Sequence, residues 1–343
     1  MVNYTSVINV GVAFLLIMAA GFIAKKLKVT RSRHIAAVNK YVIQLTLRAQ
    51  MCRAFALKDL YSMSFKPLLG CVCMSLTTQI LLAIYVAVIP VQNKFETFIG
   101  LVLPVVYLNY VIIGVPLFNS IWGEANNAIT SVIIMSNDIV IIPIYQTCAS
   151  LFSVRKSKEE AAKKAAENQV DGEDVTEGKK FTIKDFGKIL LNVFKSPIIQ
   201  GIIVGMIYSL STLKLPIYLD RFLYTIQASC VGLALFSAGG FLAKTSLISC
   251  TWLEFFTAIG FRFIVMPFFS CVYSYAIKLT NQQIRQCLLM CLVTSSTAVY
   301  PIAQGTGIKV GVASTMVLWS TILFVPFMIL WNFVLDKMNL FKE

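Results

Sequence analysis

Long apolar runs recur along this chain at a length that admits few folds. They lie at about 5–25, 36–57, 67–90, 98–121, 127–153, 189–211, 220–243, 252–277, 284–305 and 310–335. A helix needs roughly 20 mostly apolar residues to cross the hydrocarbon of a bilayer. Ten such segments predict an all-α polytopic membrane protein. Their continuous Leu, Ile, Val and Phe content suits helices, which satisfy every backbone group internally, over the alternating strands of a barrel. The chain is 57% hydrophobic and 13% charged, where soluble domains carry about 25% charge.

The net charge of +14 does not point to nucleic acid, because the basic residues gather in loops and at segment ends. The first loop holds Lys25, Lys26, Lys28, Arg31 and Arg33, and a second cluster runs from Arg155 to Lys188. With ten spans both clusters fall on one side, opposite the two termini, while loops such as those with Lys58 and Lys66, or Lys214 and Arg221, are poor in positive charge. The positive-inside rule then predicts a cytoplasmic central loop and non-cytoplasmic termini. No basic region precedes the first apolar run, so neither a cleaved signal peptide nor a transit peptide is expected. Asn3-Tyr4-Thr5 has the glycosylation pattern and would face outward. Nine cysteines and one histidine, His34, show no metal-ligand spacing, so the thiols are read as packing groups and no cofactor is expected.

The polar stretch 154–188 separates a first five-segment unit, 1–153, from a second, 189–343. Lys and Glu among alanines at its start predict a helical extension of the fifth segment, and its middle reads as disordered. Because five is odd, the second unit enters the bilayer inverted, as in many secondary transporters. The fourth segment, "LVLPVVYLNYVIIGVPLFNSIWG", carries Pro104, Asn109, Gly114 and Pro116. The ninth, "LVTSSTAVYPIAQGTGIKVG", carries Ser295, Ser296, Thr297, Pro301, Gly305 and Gly307. Thus the corresponding segments of the two halves are both interrupted. In hydrocarbon each unpaired backbone group costs several kcal/mol, so broken backbone persists only within protein or beside a wet cavity. Two such helices, crossed, aim partial helix-end charges at one point and build a polar site there. Asn109, Gly114, Pro116, Ser295, Thr297 and Pro301 are the expected substrate-binding positions.

"NYVIIGVPL" (Asn109–Leu117), "KSPIIQGIIVGMIYSLSTLKLP", "GLALFSAGGFLA" (Gly232–Ala243) and "RFIVMP" (Arg262–Pro267) occur in order. Together they resemble the auxin efflux carrier family, which includes the plant PIN and PIN-like carriers and bacterial relatives. The resemblance covers nearly the whole chain except the central loop. It implies a sodium/proton antiporter-like fold of ten helices. Spans one, two, six and seven would form a scaffold, possible in a homodimer, and spans three to five and eight to ten a moving transport domain. It also implies elevator-type carriage of a small organic anion, auxin-like or a carboxylate, with a proton or sodium as candidate coupling ion, in a plasma membrane or endomembrane. The chain departs from the family in its second span, where "TLRAQMCR" stands in place of a mid-span proline, in its Ser/Thr-rich ninth span, and in its short loop.

Ionisable residues at membrane depth are functional candidates. Asp138 lies mid-segment in "IIMSNDIVII", and Arg262 mid-segment in the eighth. The implied fold puts both in the transport domain, so they are expected to pair, with substrate or proton competing for Asp138. Arg48 is expected to attract an anion, whereas Arg53, nearer its segment end, either does the same or snorkels. Gln79, Gln200, Gln227 and Gln304 are expected to bond between helices. Neither a phosphate-binding loop nor a nucleophile–base constellation is present, which disfavours ATP-driven transport and an intramembrane enzyme. A channel or a receptor remain the alternatives to a carrier.

Overall fold

The computed structural model describes residues 4–58, 60–61, 64–123, 128–167, 187, 191, 194–211, 213, 215–243 and 246–341. Asn3, Lys214, and the linker residues 168–186 and 188 lie outside them. Among the described residues the architecture is all-helical. Chain order gives α1 (Tyr4–Lys26), α2 (Ser32–Tyr41 and Leu47–Ala56 joined by a wide turn, Val42–Thr46) and α3 (Lys66–Val88). Then come α4 (Lys94–Val106), α5 (a wide turn Tyr110–Gly114, then Val115–Trp122) and α6 (Ala128–Ser136, a wide turn Asn137–Ile141, then Ile142–Glu167). The second half holds α7 (Pro197–Leu210), α8 (Ile217–Leu242) and α9 (Trp252–Gly260, a wide turn Phe261–Val265, then Met266–Ala276). It ends with α10 (Asn281–Leu292), α11 (Val299–Thr306) and α12 (Val310–Lys337). The run of α6 to Glu167 matches the helical extension expected from its Lys, Glu and Ala.

Six helices among the described residues are long and apolar enough to cross a membrane: α1, α3, α6, α8, α9 and α12. The other four predicted segments differ for identifiable reasons. The second, α2, carries Lys40, Arg48 and Arg53. The fourth and ninth are each split into two short helices, and the sixth is a helix of 14 residues.

The four wide turns are π-helical, closed by backbone bonds to the fifth residue back: Leu47 to Val42, Val115 to Tyr110, Ile142 to Asn137 and Met266 to Phe261. Three of them end two residues before a proline, Pro116, Pro143 or Pro267. A proline inside a helix lacks its N–H and crowds the carbonyl a turn earlier. Widening the preceding turn relieves that conflict. The fourth turn is followed at the same offset by Arg48, so the distortion of α2 does not depend on a proline.

Two packed groups emerge. In one, α1 packs along α8 and α2 along α7, with α8 also against α2. Contacts here are backbone-close. A Cβ on Gly201 would lie 2.5 Å from the Arg48 carbonyl oxygen, and one on Gly205 2.5 Å from that of Cys52. The "GIIVG" spacing of α7 therefore lets it lie against α2, as small residues four apart do between helices lacking a hydrophobic drive. In the other group α3 packs on α4, α6 and α9, while α12 packs on α4, α9 and α11.

Candidate functional site at a crossing of two broken helices

The two interruptions meet. Tyr107–Asn109, between α4 and α5, and residues 293–296, after α10, run antiparallel, bridged at Leu108 and Ser295, and a turn at 297–298 leads into α11. The Asn109 N–H donates to the Thr294 carbonyl at 2.8 Å, and the Ser296 N–H donates to the Tyr107 carbonyl at 2.9 Å. The C-termini of α4 and α10 and the N-termini of α5 and α11 all converge here. Each C-terminus carries about half a negative charge and each N-terminus about half a positive one.

The backbone groups freed by the breaks find partners in neighbouring helices, as buried groups must. The Tyr107 N–H still reaches the Leu103 carbonyl at 3.0 Å. The Pro104 carbonyl accepts from Ser295 Oγ at 2.6 Å, and the Ser295 N–H donates to Ser320 Oγ of α12 at 2.9 Å. Asn137, in the wide turn of α6, treats Leu108 as a strand would: its Nδ2 donates to the Leu108 carbonyl at 2.7 Å, and its Oδ1 accepts from the Leu108 N–H at 3.4 Å. Arg262, in the wide turn of α9, is wholly buried. Its guanidinium donates to the Val105 carbonyl at 2.7 Å and to the Val293 carbonyl, one at the C-terminal end of each broken helix. One fixed cation thereby spans both negative helix ends, while neither positive end has a side-chain cap.

A cavity of about 80 Å³ lies against this crossing. The crossing contributes Tyr107, Asn109, Ser296 and Thr297, α6 contributes Asn137 and Asp138, and the first packed group contributes Asn39, Ile198 and Ala234. Asn109 is 3% exposed and its Nδ2 has no hydrogen-bond partner. A vestibule of about 590 Å³ adjoins the cavity through shared residues Asn39, Ile43, Thr297 and Pro301, and reaches Ser32 and Lys40 near the start of α2. Toward the other end of α2, a pocket of about 100 Å³ is lined by Gln50, Arg53, Asn119, Thr130 and Gln227.

The structure gathers some of the predicted positions and not others. Asn109, Thr297, Pro301 and Asp138 line the cavity. Ser295 instead bonds backbone from behind. Gly114 packs against Met290, and neither it nor Pro116 lines any of the three pockets. The break itself lies at Tyr107–Asn109, about one turn after Pro104 and two turns before Pro116, because proline is tolerated at a helix start and marks where an N–H is missing, not where the chain unwinds. The expected Asp138–Arg262 pair is corrected: the described ion pairs are Arg53–Asp220, Arg285–Asp336 and Lys309–Glu254, and Arg262 is held by carbonyls. Arg48 lines none of the pockets and reaches toward Gln44 Oε1 at 3.4 Å. Arg53 bonds Asp220 at 2.6 Å beneath the Tyr224 ring. Of the four glutamines, Gln227 and Gln304 line pockets, and it is Gln50 that bonds between helices, to the Val111 carbonyl at 3.4 Å. Asn39, Tyr107 and Ser320 gave no sequence signal beyond being polar within apolar runs.

An all-helical chain with a buried polar crossing and adjoining cavities has the features of a membrane transport protein. A family profile described as "Membrane transport protein" matches residues 6–332, and the chain belongs to that family, the auxin efflux carrier family, which is not a family of enzymes. The chain is also similar to Auxin efflux carrier component 8 of Arabidopsis thaliana, 20% identical over 357 aligned positions that cover 96% of this chain and 97% of that protein.

Proposed function

We propose that this transport protein is a secondary carrier of a small organic anion that works by elevator-type alternating access. The observation that carries the reading is the Asn109 amide, buried without an acceptor in a cavity where two helix N-termini have no side-chain cap. Such a place suits a carboxylate. In this reading the chain has ten spans in two inverted halves, α1–α6 and α7–α12. The pairing of α1 with α8 and α2 with α7 is what such symmetry would produce. These four helices serve as scaffold, and the remaining helices as the transport domain carrying the crossing. The cavity lies between the two bodies, so sliding one past the other moves its contents. Residues 1–153 and 189–343 then form the repeats, with the loop between them cytoplasmic and both termini outside, in a plasma membrane or endomembrane. The wider vestibule lies on the side of the basic first loop, which makes the conformation inward-facing.

Indole-3-acetate, benzoate and succinate, radiolabelled and offered to proteoliposomes, test the reading. Uptake of at least one saturates and shows counterflow. Asn109→Ala raises its half-saturating concentration about 10–100-fold, the equivalent of one hydrogen bond to a charged group at about 1.5–3 kcal/mol. A channel gives flux without saturation or counterflow, and a receptor gives binding without flux.

A further inference from the structure

Resting on the carrier reading, we infer that Asp138 is a proton-carrying group: one proton boards its carboxylate as each anion enters the cavity and leaves with that anion on the far side. Asp138 is 7% exposed and lines the cavity beside the crossing. Among the described residues its carboxylate accepts no hydrogen bond and no cation pairs with it. The cation best placed by sequence, Arg262, is turned onto the Val105 and Val293 carbonyls.

No side chain facing Asp138 in the cavity carries a positive charge; the two helix N-termini there supply about one positive charge between them. Tyr107 is the one further titratable side chain lining the cavity. The elements around it bring neutral residues: Asn39 and Val42 from α2, Ile198 from α7, Ala234 from α8 and Thr297 before α11. Lys40 lines the adjoining vestibule and not the cavity. Two helix N-termini offset about one negative charge, so when a second carboxylate enters beside Asp138 the pair takes up one proton.

The step balances simply. Water in the vestibule gives a proton to the Asp138 carboxylate. The resulting O–H donates to the carboxylate of the entering solute, while Asn109 Nδ2 donates a second bond. When the transport domain opens on the other side, the solute departs and Asp138 returns its proton to water there. For a monovalent anion the cycle moves no net charge, and a proton gradient drives accumulation. Once the empty protein has lost the proton, anion affinity falls about tenfold for each unit rise in pH.

The test uses full-length protein in proteoliposomes with indole-3-acetate, benzoate and succinate as probes. Wild-type protein is expected to accumulate a counterflow-positive probe when the side of addition is acid, and to lose that accumulation when the gradient is collapsed. Asp138→Asn removes the response to the gradient whatever its rate of exchange, and Asp138→Glu restores it. Infrared difference spectra of wild-type protein show a protonated-carboxyl band that grows as the pH is lowered, shifts on adding the probe, and is missing from Asp138→Asn. Counterflow that ignores the gradient, a gradient response that survives Asp138→Asn, or a wild-type spectrum without such a band overturns the inference alone. Failure of all three anions to show counterflow overturns the carrier reading as well.

Discussion

Arg262→Ala is expected to cost about 2–6 kcal/mol and to stop transport. The magnitude comes from the two acceptors it strands. The Val105 and Val293 carbonyls lie where water does not reach, and each unsatisfied acceptor costs about 1–3 kcal/mol. Two negative helix ends also lose the cation between them, so α4 and α10 repel where they now meet. Arg262→Lys should recover part of the loss, because an ammonium keeps the charge but cannot span both carbonyls as a planar fork does. Arg53→Ala makes the contrast. Its pair with Asp220 is 17% and 27% exposed, and partly solvated pairs of that kind contribute about 0–1 kcal/mol. Thermal unfolding of purified protein, followed alongside uptake, should rank the variants Arg53→Ala, Arg262→Lys, Arg262→Ala from mildest to most severe.

Asn137→Asp should rank close to Arg262→Ala despite changing one atom of the side chain. The substitution removes the donor that meets the Leu108 carbonyl at 2.7 Å and sets a carboxylate oxygen against that carbonyl. It also places a second acid next to Asp138. The stranded acceptor alone costs about 1–3 kcal/mol, and the new charge adds to it. Asn137→Ala, which strands the same carbonyl without adding charge, is expected to fall between wild type and Asn137→Asp. Because Asn137 and Arg262 pin the same crossing, the double variant Asn137→Ala/Arg262→Ala should lose less than the sum of the single losses, and chemical denaturation of the four proteins measures the difference.

Which of these features the sequence foretells follows from what each one depends on. The helical segments were legible because bilayer thickness fixes their length. That the fourth and ninth would be interrupted was legible from Asn109, Pro116, Ser295 and Pro301. The residues that actually unwind were not, because Tyr107 and Val293 carry no conformational mark of their own. Three of the four π-helical turns prove to precede a proline, a link not foreseen from the sequence, and these turns carry Asn137, Asp138 and Arg262 to the crossing. The fourth turn, before Arg48, had no such marker. Arg262 shows the limit most clearly. Matching its charge to Asp138 was the natural inference from side chains alone, but two helix C-termini together present about one negative charge that no residue letter records. Arg48 misled for a related reason, since a cation's position along a helix does not say which way the helix faces.

The measurement that reaches the central claim most directly is a cross-link. Leu108 and Ser295 form the non-hydrogen-bonded pair of the crossing, a geometry that sets Cα atoms about 4.5 Å apart, inside the range a disulfide spans, about 4.4–6.8 Å. In membranes carrying Leu108→Cys/Ser295→Cys, mild oxidation should yield a peptide joined at 108 and 295, identified by mass, and uptake should fall only if the bond strains the site. Absence of that peptide under conditions in which both thiols remain alkylatable would mean that the two broken helices do not meet, and the site built on their meeting would not exist.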